Sequence, residues 1–188
     1  MSSKLDRRKK YTRQVLKESL IKLMQEKPFT RITIKEVCES ADINRSTFYS
    51  HYTDLYDFLY QIEDELIEDM NHTLSSYNYT KNEETLEMIE KLLEYFSENR
   101  ESSQTLFGEH GDPTFQKKVM MLAQTHLLKY LSVESNTIPY NPEYLSLYTT
   151  NGSIHVVQEW LKNGLKESPK EMAILITKLA NNGLSSFQ

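Results

Sequence analysis

Apolar residues recur at three- and four-residue spacing along almost the whole chain, and nowhere alternate with polar ones long enough to demand a strand. Leu16, Leu20, Leu23 and Met24 give one apolar face to a helix predicted over residues 7–26. Lys27-Pro28 stops it, because the residue before a proline is pushed out of the α region. Thr33-Ile34-Lys35-Glu36 has the form of a capping box, opening a short second helix that ends near Ser40-Ala41-Asp42. Asn44, a good N-cap, opens a third helix that ends around Tyr52. Thr53-Asp54 then caps a long fourth helix with the stripe Leu55, Phe58, Leu59, Ile62, Leu66, Met70 and Leu74. Residues 75–82 are polar and predict a loop, with Asn82 capping a fifth helix that carries Leu86, Ile89, Leu92, Leu93 and Phe96. Asp112-Pro113, Asn141-Pro142 and Ser168-Pro169 each place a capping side chain before a proline, which announces three more helices. Glu171 completes a second capping box, and Gly164 and Gly183 stand where the last two helices should end. The pattern predicts an all-α fold.

Composition adds that this is an ordinary globular chain, with 38% hydrophobic and 26% charged residues in 188. No run approaches the roughly 20 apolar residues of a membrane span. The basic, polar first ten residues have no apolar stretch behind them, so no signal peptide and a cytoplasmic location are expected. The single Cys38 excludes an internal disulfide and a cysteine zinc cluster. Charge changes the picture more. The net charge of -5 conceals a basic end: residues 1–52 hold 12 Lys/Arg against 6 Asp/Glu, and the remainder 10 against 21. Such a split points to a polyanion at the N-terminal end.

The informative stretch is residues 33–52. Two short helices joined by a tight turn at Ser40-Ala41-Asp42-Ile43 fit a helix-turn-helix, whose second helix enters the major groove. Asp42 stands where such turns often want glycine, and Asp tolerates a positive φ better than most residues. Val37, Ile43 and Phe48 are spaced to pack inward. Arg45, Ser46, Thr47, Tyr49, Ser50 and His51 remain on or beside the exposed face, with groups suited to phosphate oxygens and base edges.

The run from Ile32 to Leu59, with Thr33 opening the second helix and Thr47-Phe48-Tyr49-Ser50-His51-Tyr52 in the third, resembles the DNA-binding motif of the TetR family. By that resemblance Thr47, Tyr49 and His51 hold phosphates, and Arg45 and Lys35 fall where members often reach bases. Thr33, Ser46, Ser50 and Tyr52 complete the expected DNA-contacting set. One departure is Leu55, which stands where the family frequently has a phosphate-binding Lys. The resemblance implies residues 1–53 as a DNA-binding unit, and residues 54–188 as a regulatory and dimerisation unit. The C-terminal pattern Trp160-Leu161-x-x-Gly164, then Ser168-Pro169-x-Glu171-Met172, extends it. It implies a homodimer made by the last two helices, with Trp160, Leu161, Met172, Leu175 and Leu179 at the interface.

Some 130 residues beyond the first fifty exceed what dimerisation needs, which predicts a site for a small-molecule effector or a protein co-regulator. Tyr95, Phe96, Phe107, His126, Tyr130, Tyr148 and His155 are candidates to line it, as apolar walls with a few polar tips. The expected partners are double-stranded DNA and a second copy of the chain, with no cofactor and no membrane. Regulators of the family it resembles usually repress, released from a palindromic operator by an effector, and some relatives activate through a protein or ligand partner. A helical metal-carboxylate enzyme is the reading from another class. Asp69-x-x-His72 supplies half of a di-iron motif, but no second copy completes it. Glu109-His110-Gly111-Asp112 reads more simply as a polar loop before a capped helix.

Overall fold

A computed structural model describes the backbone of residues 2–77, 82–133 and 141–183, and the side chains of 7–77, 84–128 and 141–183. The described residues form nine α-helices and no strand: α1 (Ser2–Glu26), α2 (Ile34–Ser40), α3 (Arg45–Tyr49), α4 (Leu55–Ser75), α5 (Asn82–Glu98), α6 (Arg100–Phe107), α7 (Pro113–Val133), α8 (Pro142–Lys162) and α9 (Pro169–Asn182). The all-α expectation holds, and the capped starts of α2, α3, α4, α7, α8 and α9 stand where their caps placed them. Both capping boxes close: the Thr33 hydroxyl accepts from Glu36 N, and Ser168 serves Glu171 in the same way. Each such cap stabilises its helix by about 1 kcal/mol.

Four features differ from the pattern reading, the first being that α3 ends at Tyr49 rather than around Tyr52. α1 begins at Ser2 rather than near residue 7, so its first two turns carry the basic cluster. Asn82 is the first residue of α5, not the residue before it. The short α6 has no counterpart in the sequence reading. It is separated from α5 by Asn99 alone, whose side chain makes no cap, and no proline marks the break. A single-residue interruption leaves the three- and four-residue spacing almost intact.

Two turns are closed by the same geometry. After α2, Ile43 N donates to Cys38 O at 2.9 Å and Asp42 N to Glu39 O at 3.3 Å. After α8, Leu165 N reaches Trp160 O at 3.0 Å and Gly164 N reaches Leu161 O at 3.3 Å. Both are Schellman motifs, which need a left-handed residue just past the helix. Gly164 supplies it at φ 89°, and Asp42 at φ 53°.

One continuous apolar core runs from Leu16 on α1 to Ile176 on α9. Leu16, Leu20, Met24, Val37, Phe48 and Phe58 pack α1, α2, α3 and the start of α4 together. Full burial of each such side chain contributes about 1.5–3 kcal/mol. Beyond them α5 packs on α9, and α7 on α8. The 21 residues of α4 form the bridge, about 30 Å long at the helical rise. Leu55 and Phe58 belong to the N-terminal cluster, and Met70 and Leu74 lie at the far end.

Candidate DNA interface and ligand cavity

Within the helix-turn-helix, α3 is held on its inner side by Phe48, which is completely buried against Phe58 (ring centroids 5.7 Å) and Tyr52 (5.3 Å). That anchoring turns Arg45, Ser46, Tyr49 and Ser50 outward, all exposed, with Thr47 and His51 half-buried beside them. Tyr49 is 57% exposed. Not all of these groups are free to reach a ligand. Ser46 Oγ donates to the Asn44 cap at 2.9 Å, and Ser50 Oγ donates to Thr47 O at 2.7 Å. Each hydroxyl must leave a local bond, or act as an acceptor, to meet DNA.

On α2, Lys35 is exposed and loosely paired with Glu39 at 3.7 Å. Exposed pairs of this kind are worth little, so the ammonium remains available. Thr33 is exposed, but its hydroxyl works inside the capping box, donating to Glu36 Oε2 at 2.8 Å. The Lys27 and Thr33 hydrogen bonds hold the Glu36 carboxyl down at about 2. Tyr52 departs from the expectation. Its side chain is 3% exposed, stacked on Phe58 at 4.3 Å, and belongs to the core rather than to a surface that could meet DNA. The aromatic spacing of the motif conceals this: Tyr49 and Tyr52 are three residues apart, yet one faces out and the other in. Leu55 is likewise buried.

The structure adds a flank that pattern reading missed. Lys9, Lys10, Arg13 and Lys17 of α1 face His51 across a cleft between α1 and α4. Glu65 on α4 ties the cleft shut at one end, accepting from Arg13 at 2.5 Å with Lys17 at 3.9 Å. Burial, then Lys9 and Arg13, push the His51 imidazole below its ordinary value. Both effects favour the neutral imidazole, which offers one N–H donor.

At the far end of α4 the helices line a partly open cavity of about 220 Å³. Met70 and Leu74 of α4 form part of its wall, with contributions from α5, α6, α7, α8 and α9. Of the predicted pocket residues, Phe96, Phe107 and His126 line it. His126 is buried and its Nε2 lies 3.1 Å from Asn71 Oδ1. Three others do not line it. Tyr148 is 83% exposed, His155 is exposed with Nδ1 2.8 Å from Asn151 O, and Tyr95 sits outside, its phenol donating to Asp69 Oδ2 at 2.9 Å. On α8 these side chains fall on the face opposite the cavity, which helical spacing alone could not orient. Tyr130 lies outside the residues whose side chains are described. The wall also carries the small hydroxyl residues Thr149, Thr150, Ser153 and Thr177, which the sequence does not single out because such residues are as common on solvated helix faces.

The expected interface residues also need correction. Trp160, Leu161 and Met172 are 3%, 1% and 5% exposed within a single chain. Trp160 Nε1 donates to Glu167 O at 2.9 Å, and Gln104 donates to Leu161 O. These side chains are consumed by the protomer's own core and offer no surface to a partner. Leu175 and Leu179 are half-buried. On α8 the exposed large apolar side chains are Tyr144, Leu147 and Tyr148.

The half di-iron motif has no structural support as a ligand set. Asp69 accepts the Tyr95 phenol, and among the described residues no group of three or more His, Cys, Asp or Glu is placed to hold a metal. His110 instead sets Nδ1 3.0 Å from Met24 O, closing the end of α1. Among the described residues no helix is long and apolar enough to cross a membrane.

A helix-turn-helix with an outward α3, joined by one long helix to a cavity lined by five others, has the build of a helical transcriptional regulator. Residues 83–182 match the family model of the TetR-type transcriptional regulator C-terminal region. The chain belongs to the TetR family of transcriptional regulators. It is similar to an uncharacterized HTH-type transcriptional regulator, YxbF, of Bacillus subtilis strain 168, at 23% identity over 88% of this chain. The chain spans 44% of that relative's length. Among solved structures it resembles a TetR transcriptional regulator from Streptococcus agalactiae 2603V, with TM-score 0.67, 22% identity, and 96% and 99% of the two chains covered. It also resembles the regulator FadR of Bacillus subtilis in complex with stearoyl-CoA, with TM-score 0.66, 13% identity, and 90% and 98% covered.

Proposed function

We propose that this chain is a homodimeric repressor that binds a pseudo-palindromic operator through α3 and is released when a small molecule occupies the cavity. The observation that carries the proposal is the placement of α4. One rigid helix touches the recognition unit at Leu55 and Phe58, and the cavity wall at Met70 and Leu74. A ligand that prefers one tilt of α4 biases the spacing of the two heads. It must bind the two states unequally, since equal affinity shifts nothing. In this reading residues 1–53 act on DNA, residues 54–188 sense and dimerise, and the protein works in the cytoplasm by binding rather than catalysis.

For DNA, Arg45 and Lys35 reach bases, while Tyr49, Thr47 and His51 meet phosphates; Ser46, Ser50 and Thr33 support them. The solved relative with stearoyl-CoA supports a ligand within this fold. For the dimer, the face of α8 formed by Tyr144, Leu147, Tyr148 and Gly152 replaces the buried residues first expected. Gly152 lies mid-helix, and a Cβ built there meets nothing within 4 Å. Glycine in a helix interior costs about 1 kcal/mol against alanine. Nothing inside the protomer requires it, whereas a partner helix crossing close by would.

The test is fluorescence anisotropy on labelled DNA from the gene's own upstream region. The wild type should bind with a steep loss of affinity as salt rises. Arg45→Ala with Tyr49→Ala should abolish specific binding while helix content stays unchanged. Binding by that double variant equal to wild type would overturn the assignment of α3.

A further inference from the structure

We infer that the cavity takes an uncharged, lipophilic molecule with a single hydrogen-bonding end, the size of a substituted ring or a medium-length alkyl chain. The inference rests on the sensing role proposed for this cavity and names the chemistry of its ligand. Four observations carry it. Among the described residues of the wall there is no Lys, Arg, Asp or Glu. A charged group inside would lose its hydration and find only the His126 imidazole, itself held 3.1 Å from Asn71 Oδ1, to meet it, which disfavours carboxylates and, more strongly, amines in the interior. Leu92, Phe96, Val119, Ile154 and Ile176 present hydrocarbon instead. Such surface rewards apolar ligands in proportion to the area they cover.

The third observation is where polarity does occur. Most of it comes from α8 and α9, at Thr149, Thr150, Ser153, Thr177 and Asn181. The Thr177 hydroxyl oxygen is shut off from solvent and makes no hydrogen bond. An unpaired buried hydroxyl is costly; turning about χ1, between the two rotamers threonine uses in a helix, would bring this oxygen from behind the wall to a ligand hydroxyl or carbonyl and relieve that cost. The fourth is size. The volume of about 220 Å³ is roughly half as large again as the 150 Å³ engineered apolar cavity that binds benzene.

The experiment measures thermal unfolding of the full-length protein at pH 7.5 with matched concentrations of 1-octanol, octanoate, octylammonium, toluene and stearoyl-CoA. Ligands that bind only the folded state raise the midpoint. Octanol should bind at least tenfold more tightly than either ion and than stearoyl-CoA. Thr177→Val, nearly isosteric, should weaken octanol several-fold and leave toluene unchanged. Ala123→Leu, which fills part of the cavity, should weaken both. Equal or tighter binding of an ion or of stearoyl-CoA, or no shift with any probe, overturns the inference. So does a loss of octanol binding in Thr177→Val matched by an equal loss of toluene. The sensing role fails separately: octanol would bind as described, yet leave affinity for the upstream DNA unchanged.

Discussion

Glu63 shows what a single side chain can do to the connecting helix. It lies on α4 with no exposed surface, and neither carboxylate oxygen has a hydrogen-bond partner. Burial, reinforced by Asp112 and Asp64 and only partly opposed by Lys118, raises its pKa from the ordinary 4.5 to about 7. A raised carboxyl means that the folded state holds a proton the unfolded state has already released. The stabilisation is therefore complete below about 4.5 and is lost as pH rises through about 7. Glu63→Gln should remove much of that decline, so its midpoint should exceed the wild type's at pH 8 by more than at pH 5. Equal shifts at both pH values would show that Glu63 is ionised or solvated in the folded protein. Glu63→Met should stabilise at pH 8 by about 1–3 kcal/mol, the usual cost of an unsatisfied buried polar group. Sequence spacing gave no warning of this residue. Glu63 follows Ile62 directly, and only packing from α7 and the turn before it decides that position 63 is buried. The outward face of α3 was far more legible, because Asn44, Phe48 and the spacing to Tyr49 orient that helix locally. Tyr52 was misjudged for the opposite reason: its burial depends on Phe58, which lies on the next helix.

At the scale of elements, caps explain most of what could be read in advance. Side-chain oxygens at Thr33, Asn44, Asp54, Asp112, Asn141 and Ser168 each accept from a backbone N–H within three residues, so six starts needed no tertiary information. The break between α5 and α6 has no such local cause and stayed hidden. Faces were harder than boundaries. α8 carries apolar residues nearly all round, and tertiary packing alone consigns Trp160 and Leu161 to the core while leaving Tyr144 and Tyr148 outside. That division predicts the behaviour of two variants. Gly152→Leu or Tyr148→Glu should weaken self-association and leave the protomer folded, as read by light scattering and circular dichroism at micromolar concentration. Leu161→Glu should instead unfold the chain, since it buries an unpaired charge. If Leu161→Glu gave a folded monomer, or Gly152→Leu an unaltered dimer, the α8 face would not be the interface.

For the whole molecule, charge and connectivity carry the account. Twelve of 22 basic residues lie in the first 52, and Lys9, Lys10, Arg13 and Lys17 line a cleft beside His51. Neutralising phosphates releases counterions, so the logarithm of affinity should fall linearly with the logarithm of salt. Removing Lys9 and Lys10 together should lower that slope by about two, with sequence preference unchanged. A reduced preference with an unchanged slope would assign these lysines to base contacts. The central claim is that two copies of α3, set by dimerisation and tuned from the cavity, read two half-sites of DNA. Selection of tight-binding duplexes from a random library, with the wild type and with Arg45→Ala, tests it most directly. The wild type should enrich a pseudo-palindrome whose half-site centres lie about 34–36 Å apart, one turn of the duplex. Arg45→Ala should lose that preference, or lose binding altogether. Enrichment of no sequence by the wild type, or of the same sequence by both proteins, would contradict the account.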